Sequence, residues 1–595
     1  MSKLITWRHL VTILAMLAMC AVAYAFEPPT QEGVGAWFSI MPPLLAIGLV
    51  LLTRRLLLSM TIGITVGGLL AAGVAHDGIW TVTTTGVGSA YGYFHSAVTD
   101  SWNLQVLAFI PFMLVMIAIM IVGGGFQALV NVFAKMSFGR RATQVKTILA
   151  GLVLFFDDYA NTMVVGSGMR PITDKQKISR AKLAFLVDAT SAPIAGLAIM
   201  STWIGYEIGL FKEVAGTLGI DRDGFSMFLD AIGFRFYCLL MIAFVFINAI
   251  SGRDFGPMLT AERSLEKADD IDTSAVGEQV APAKEAVHSL ATLFIPLGVL
   301  FAILLVGFWR DGGGMALIAD SIAPLFSLGA WQDVLMKVEN SITVLMWSAI
   351  GGFVAASLVA LAHARISLTS IGKATLHGLK LAVVPMAILC LAWSLKGACD
   401  ALGTGKFLVA AIGDAFPAML FPAVLFITAG LTAFATGTSW GTMAILIPTA
   451  IPVAFALDGS EYALITIMSL AAVLDGAILG DHCSPISDTT IMSSTASGCH
   501  HMEHVRTQLP YALTVGLIAI AVGYIPVAAG APTLWPVALL LIIGVHYLFG
   551  EKREDAPGRS VFARYIGWAS DTASVKAGEK NESGTVNRGR SPASR

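Results

Sequence analysis

Apolar runs long enough to cross a bilayer, about twenty residues each, recur along this chain between short polar breaks. Residues 37–53, 56–74, 104–122, 183–204 and 234–250 form a first series. Residues 290–309, 342–362, 381–395, 473–497, 511–527 and 535–548 form a second. The segment after residue 74 reads as an outer loop. The pattern predicts an all-α polytopic membrane protein with about 11 transmembrane helices.

Two further stretches do not fit a simple crossing. The run 147–169 is basic on both flanks, with Arg140, Arg141 and Lys146 before it and Arg170, Lys175, Lys177, Arg180 and Lys182 after it. Lys and Arg mark the cytoplasmic side, and 23 residues cannot cross twice. The economical reading is a re-entrant hairpin with Asp157-Asp158-Tyr159-Ala160-Asn161 at its tip. Irregular backbone at membrane depth is tolerated where it lines a protein cavity. The second stretch, 421–455, is broken by Thr436-Gly437-Thr438-Ser439-Trp440-Gly441.

Composition agrees with the pattern. Charged residues are 13% of the 595, about half of the roughly 25% of soluble domains, and mean hydropathy is +0.76. The net charge of −2 excludes a basic nucleic-acid footprint and an acidic disordered chain. Six cysteines without a Cys-x-x-Cys pair argue against a disulfide framework or structural zinc.

An internal repeat organises the chain. Residues 193–202 align with 485–494 at five identities in ten positions, and Thr162-Met163 aligns with Thr442-Met443. Each half then carries three helices, a hairpin, an interrupted helix and one more. Five crossings per unit is odd, so the second copy is inverted, as in secondary transporters whose site lies at the repeat interface. The expected domains are 1–25, a signal peptide or an uncleaved extra helix; 37–250, the first repeat; 251–289, a cytoplasmic linker; 290–528, the second repeat; 529–549, an extra helix; and 550–595, a polar cytoplasmic tail.

The chemistry concentrates at the breaks. A carboxylate at the bilayer centre costs about 2.5–3.5 kcal/mol on insertion scales, and Asp157 and Asp158 are adjacent. Desolvation and like-charge repulsion both favour the protonated form, so the pair should hold a proton until a cation displaces it. Asn161 and Thr162 add neutral oxygens. The alternative is an interfacial hairpin with solvated carboxylates. In the second half, Asp481, Ser484, Ser487, Asp488 and Thr489 supply the oxygen ligands hard cations need, around Pro485, which frees a backbone carbonyl. A kinked structural helix is the bland alternative. At the matching place of the first half stands Asp188, with Gly196 opposite Asp488; the second hairpin carries Thr436, Thr438 and Ser439 instead of acids. His482 is a candidate proton relay or a packing residue. Lys396 and Asp400 read as snorkelling groups. No intramembrane Arg suited to clamping an organic acid stands out.

Two other motifs are weighed and set aside. His500-x-x-Glu503-His504 matches a metalloprotease pattern, but it falls at a helix end without an evident third ligand and reads as a surface cluster with His501. Gly403-Thr404-Gly405-Lys406 lacks the rest of a phosphate loop.

The segments 156–162, 169–174 and 480–490 resemble the NhaC-type sodium/proton antiporter family over roughly 37–528. The resemblance implies an ion-transporter-superfamily fold, no enzyme activity, no cofactor, and Na+ and H+ as transported ions. It favours Asp157, Asp158 and Asn161 in the first motif and Asp481, Ser484, Ser487 and Asp488 in the second, with Na+ at Asp157, Asp158, Asp481 and Asp488. The expected setting is the bacterial inner membrane. Expected partners are lipid and small ions or a small organic solute, with no nucleic acid; a homodimer is left open. The alternative is a Na+- or H+-coupled carrier of an organic acid of the malate/lactate type or of an amino acid.

Overall fold

The computed structural model describes residues 36–554, except 54, 76–77, 136–138, 265–282, 284–285, 319–320, 336, 405 and 408–416. The signal-like start, most of the polar linker and nearly all of the tail therefore lie outside the described residues.

After a 3-10 turn at Trp37–Ile40, the described residues run through α1 (Met41–Thr53), α2 (Leu56–Ala75), α3 (Ile79–Thr99), α4 (Ser101–Val122) and α5 (Gly125–Lys135). A helical hairpin follows, α6 (Gly139–Val153) and α7 (Asp158–Lys175), and then a helix broken into α8 (Arg180–Asp188) and α9 (Thr202–Leu218). The bent pair α10 (Gly224–Ile232) and α11 (Phe236–Ser251) and the short α12 (Gly256–Ser264) close the first half. The second half runs through α13 (Ala291–Asp311), α14 (Ser341–Ala362) and α15 (Leu368–Leu402) to the hairpin α16 (Phe421–Thr436) and α17 (Ser439–Leu457). Its broken helix is α18 (Leu464–Cys483) and α19 (Asp488–Ser497), followed by α20 (His501–Ile518) and α21 (Trp535–Leu548).

Among the described residues nine helices are long and apolar enough to cross a membrane, or ten if α10 and α11, bent by 48°, form one span. Two expectations need correction. The outer loop expected after residue 74 contains α3, packed on α2 and α15; its Thr- and Gly-rich sequence hid a helix from a search for apolar runs. The expected span 381–395 is the centre of the 35-residue α15. At 1.5 Å per residue that helix is about 52 Å long and overreaches a bilayer core of about 30 Å.

Both hairpins turn where side chains take over from backbone. Asp157 is the extended N-cap of α7, and its carboxylate accepts from the Ala160 amide at 2.7 Å. In the second hairpin Gly437 holds φ +70°, and Thr438 caps α17 by accepting from the Gly441 amide at 3.3 Å. A left-handed residue after a helix and a polar cap before the next are the standard terminators. The first broken helix resumes at Ser201, whose hydroxyl accepts from the Trp203 and Ile204 amides. The second resumes at Ser487, which accepts from Thr490. The arms run short then long in the first broken helix, 9 and 17 residues, and long then short in the second, 20 and 10.

The start of the expected linker is packed rather than solvated. Arg253–Asp254 pairs antiparallel with Glu551–Lys552. Buried Asp254 meets Lys182 and accepts from the Tyr511 hydroxyl at 2.7 Å. Lys396, expected to snorkel, pairs with Glu213 at 3.1 Å and Asp400 at 3.0 Å.

Candidate functional site

Each hairpin tip rests on the break of the interrupted helix in its own half. In the first half Thr202 donates its hydroxyl to Asp157 at 3.0 Å, and its amide donates to the Phe156 carbonyl at 2.9 Å. Asn161 donates to the carbonyls of Gly151 at 2.9 Å and Thr190 at 2.5 Å. In the second half Ser484 donates to the Phe434 carbonyl at 2.7 Å. A Cβ on Gly437 would lie 2.7 Å from the Ile486 carbonyl oxygen, so only glycine lets this tip approach the break.

The halves are then cross-joined. Tyr159, from the first tip, donates to Asp488 of the second broken helix at 2.5 Å. Tyr206, from the first broken helix, donates to the Trp440 carbonyl of the second tip at 2.5 Å, with the two rings 4.2 Å apart. Helices α7 and α19 pack so closely that a Cβ on Gly166 would meet Ala496 at 2.7 Å.

A cavity of about 720 Å³ reaches this junction. Asp157, Tyr159 and Asp488 line it, together with Ser167, Thr495, Gln127 and His377. Its remaining walls are apolar, among them Leu114, Phe126 and Met163. Asp488 is exposed within the molecule because it faces this space. Asp157, Asp158, Asn161 and Thr162 are at most 4% exposed.

The other expected site residues fall into two groups. Asp481 is 1% exposed, in the last turn of α18 before the break that Asp488 follows; one oxygen accepts from Thr489 at 3.1 Å, and the other is buried without a partner among the described residues. Ser487 and Thr489 share a hydrogen bond of 2.9 Å beside it. Of these groups Asp481 keeps one oxygen without a partner among the described residues, while Ser487 also caps α19. By contrast Thr162 donates to the Asp158 carbonyl at 2.7 Å, Thr436 to the Ala433 carbonyl at 3.4 Å, and Thr438 serves as a cap. Asn161 uses its amide to hold backbone, and Ser439 is buried at the start of α17.

Asp188 sits in a separate buried polar cluster. It accepts from Gln508 at 2.6 Å and lies 3.2 Å from His504 Nε2 and 3.8 Å from His482 Nε2. His482 Nδ1 is 2.8 Å from the Tyr237 hydroxyl. This corrects the surface reading of the histidine cluster: His504 is fully buried, and His501 is tied to the Pro485 carbonyl at 2.7 Å. The sequence pattern suggested a helix end and gave no sign that α20 folds back against α8.

Arg235 is the second correction. It is fully buried and donates to Asp475 at 2.7 Å and to the Gly196 carbonyl at 2.9 Å. The signal was present, since Arg235 stands between Phe234 and Phe236 and Asp475 lies inside an apolar run. An ionisable residue within such a run is a functional candidate by default.

Two packed hairpins, two broken helices and buried acids where they meet define a membrane-embedded transporter. The Na+/H+ antiporter family model matches residues 194–528. An uncharacterised protein of Haemophilus influenzae is 32% identical over 504 residues, 82% of this chain and 90% of its own length. The chain belongs to the Na+/H+ antiporter family and is a multi-pass secondary antiporter. Shorter matches include the arginine/ornithine antiporter ArcD of Halobacterium salinarum, 35% identical over 17% of this chain and 21% of its own. The malate-2H+/Na+-lactate antiporter of Bacillus subtilis is 28% identical over 23% and 28%. Among solved structures, the YdaH transporter of Alcanivorax borkumensis superposes with a TM-score of 0.50 at 16% identity, covering 73% of this chain and 91% of that one. Neisseria gonorrhoeae MtrF does so with a TM-score of 0.50 at 12% identity, covering 85% and 97%. Both likenesses concern the fold alone.

Proposed function

We propose that this antiporter exchanges Na+ for H+ by alternating access, with two inverted repeats forming the moving parts, in a bacterial inner membrane. Asp157, Asp158, Asp481 and Asp488 carry either the proton or the sodium ion, and Ser484, Ser487 and Thr489 add neutral oxygens. The observation that carries this reading is the Tyr159–Asp488 hydrogen bond of 2.5 Å in the cavity lining. It joins the tip of one half to the broken helix of the other, so occupancy of the carboxylates bears directly on how the halves fit. In this reading the cavity gives onto the Lys- and Arg-bearing end, which on the positive-inside rule is the cytoplasmic face.

A volume of about 720 Å³ favours a second reading, in which an organic solute enters with or against the ions. Among the described lining residues the charged groups are carboxylates, without Lys or Arg. That lining suits a cation, or an anion escorted by Na+, and the malate/lactate and arginine/ornithine relatives fit such a carrier.

Proteoliposomes with an internal pH-sensitive dye separate the two. Na+-evoked proton flux without added solute supports plain antiport. Flux that appears only with malate, lactate or an amino acid supports the solute carrier.

A further inference from the structure

Glu207 lies on α9, five residues beyond the Thr202 that touches Asp157, and is fully buried. Both of its carboxyl oxygens lack a hydrogen-bond partner among the described residues. Its neighbour of opposite charge is Arg235, at 3.6 Å. That guanidinium is already committed: Nε donates to Asp475 at 2.7 Å, one terminal nitrogen to the Gly196 carbonyl, and the other faces Cys238 Sγ at 3.8 Å. Asp475 is fully satisfied, accepting also from the Tyr237 amide at 2.6 Å and the Tyr524 hydroxyl at 3.0 Å.

The charge count of the cluster follows. Arg235 is one positive charge between two buried carboxyls, so ionising Glu207 as well as Asp475 would leave the cluster with one net buried negative charge, which is costly. A proton removes that charge. An ionised Glu207 would instead compete with Asp475 for Arg235, and Arg235 also grips Gly196, in the break of the first broken helix. The cluster ties α9 and the α10–α11 bend of one half to α18 of the other. None of its residues lines the cavity described above; Glu207 lies on the α9 arm that runs from the break toward Leu218.

We propose that Glu207 is a second proton-binding carboxyl, loaded and unloaded once per cycle separately from the cation site, with Arg235 swinging between it and Asp475. This rests on the Na+/H+ reading above and adds one proton to each turnover.

The test is the coupling ratio. Proteoliposomes clamped at zero voltage are given a fixed Na+ gradient, and the opposing pH gradient that stops net flux gives the number of protons per sodium ion. The wild type should show at least two, Glu207→Gln one fewer, and Glu207→Asp the wild-type ratio. Glu207→Leu replaces the amide variant if that one does not fold, since either neutral side chain removes the proton. A wild-type ratio of one, or the same ratio in the neutral variants, overturns the proposal while leaving Na+/H+ exchange in place. Absence of any Na+-evoked proton flux in the wild type overturns both.

Discussion

Asp157 caps α7 through the Ala160 amide, accepts from Thr202 with its other oxygen, and lines the cavity, so one carboxylate serves both the fold and the proposed chemistry. Asp157→Asn keeps an N-cap of similar quality and should leave the protein folded while abolishing Na+-evoked proton flux; normal flux would remove Asp157 from the mechanism. Tyr159→Phe deletes one hydrogen bond to a carboxylate. Such bonds are worth about 1.5–3 kcal/mol, so the apparent Na+ affinity should fall about tenfold or more, measured as the Na+ concentration for half-maximal flux. The carboxylates were legible in the sequence because acids in apolar runs are rare. The link through Tyr159 was not, because a tyrosine beside two aspartates carries no sign of a partner 329 positions away.

Among the elements, the hairpin tips are where single atoms decide the fit. Gly437 and Gly459 both hold positive φ, but a Cβ on Gly459 meets nothing within 4 Å, while one on Gly437 strikes the Ile486 carbonyl. Gly459→Ala should cost only the left-handed backbone, about 1–2 kcal/mol. Gly437→Ala should lower thermal stability further and slow transport; equal melting temperatures for the two variants would deny the tip its close contact. The first hairpin can be inferred from flanking charge, since five basic residues cannot lie outside; the second, with few charges on either flank, shows only through its polar break at 436–441. Helix α3 could not, because its 21 residues are too polar to register as a span. Arg235 is hidden for the opposite reason: Phe234 and Phe236, one on each side, make it read as part of the next span.

For the molecule as a whole, the proposed alternating access makes the conformation with this cavity one of two end states. Ser167→Cys, in the cavity wall, should react with a membrane-impermeant thiol reagent added at the basic end, and the native Cys238, fully buried beside Arg235, should not. Equal labelling of both would contradict a one-sided opening. Helix order, hairpins and the polar breaks were readable from periodicity and charge. The pairing of each hairpin with its broken helix, and the cross-links between halves, depend on contacts hundreds of residues apart and emerge only from the three-dimensional packing.

The central claim is that one set of buried oxygens holds either protons or sodium ions. Purified protein in unbuffered detergent solution, titrated with NaCl under a pH electrode, tests it without any membrane or solute. The account predicts saturable proton release matched to ²²Na+ binding and lost in Asp157→Asn. Sodium binding without proton release, or release undiminished in that variant, would contradict it.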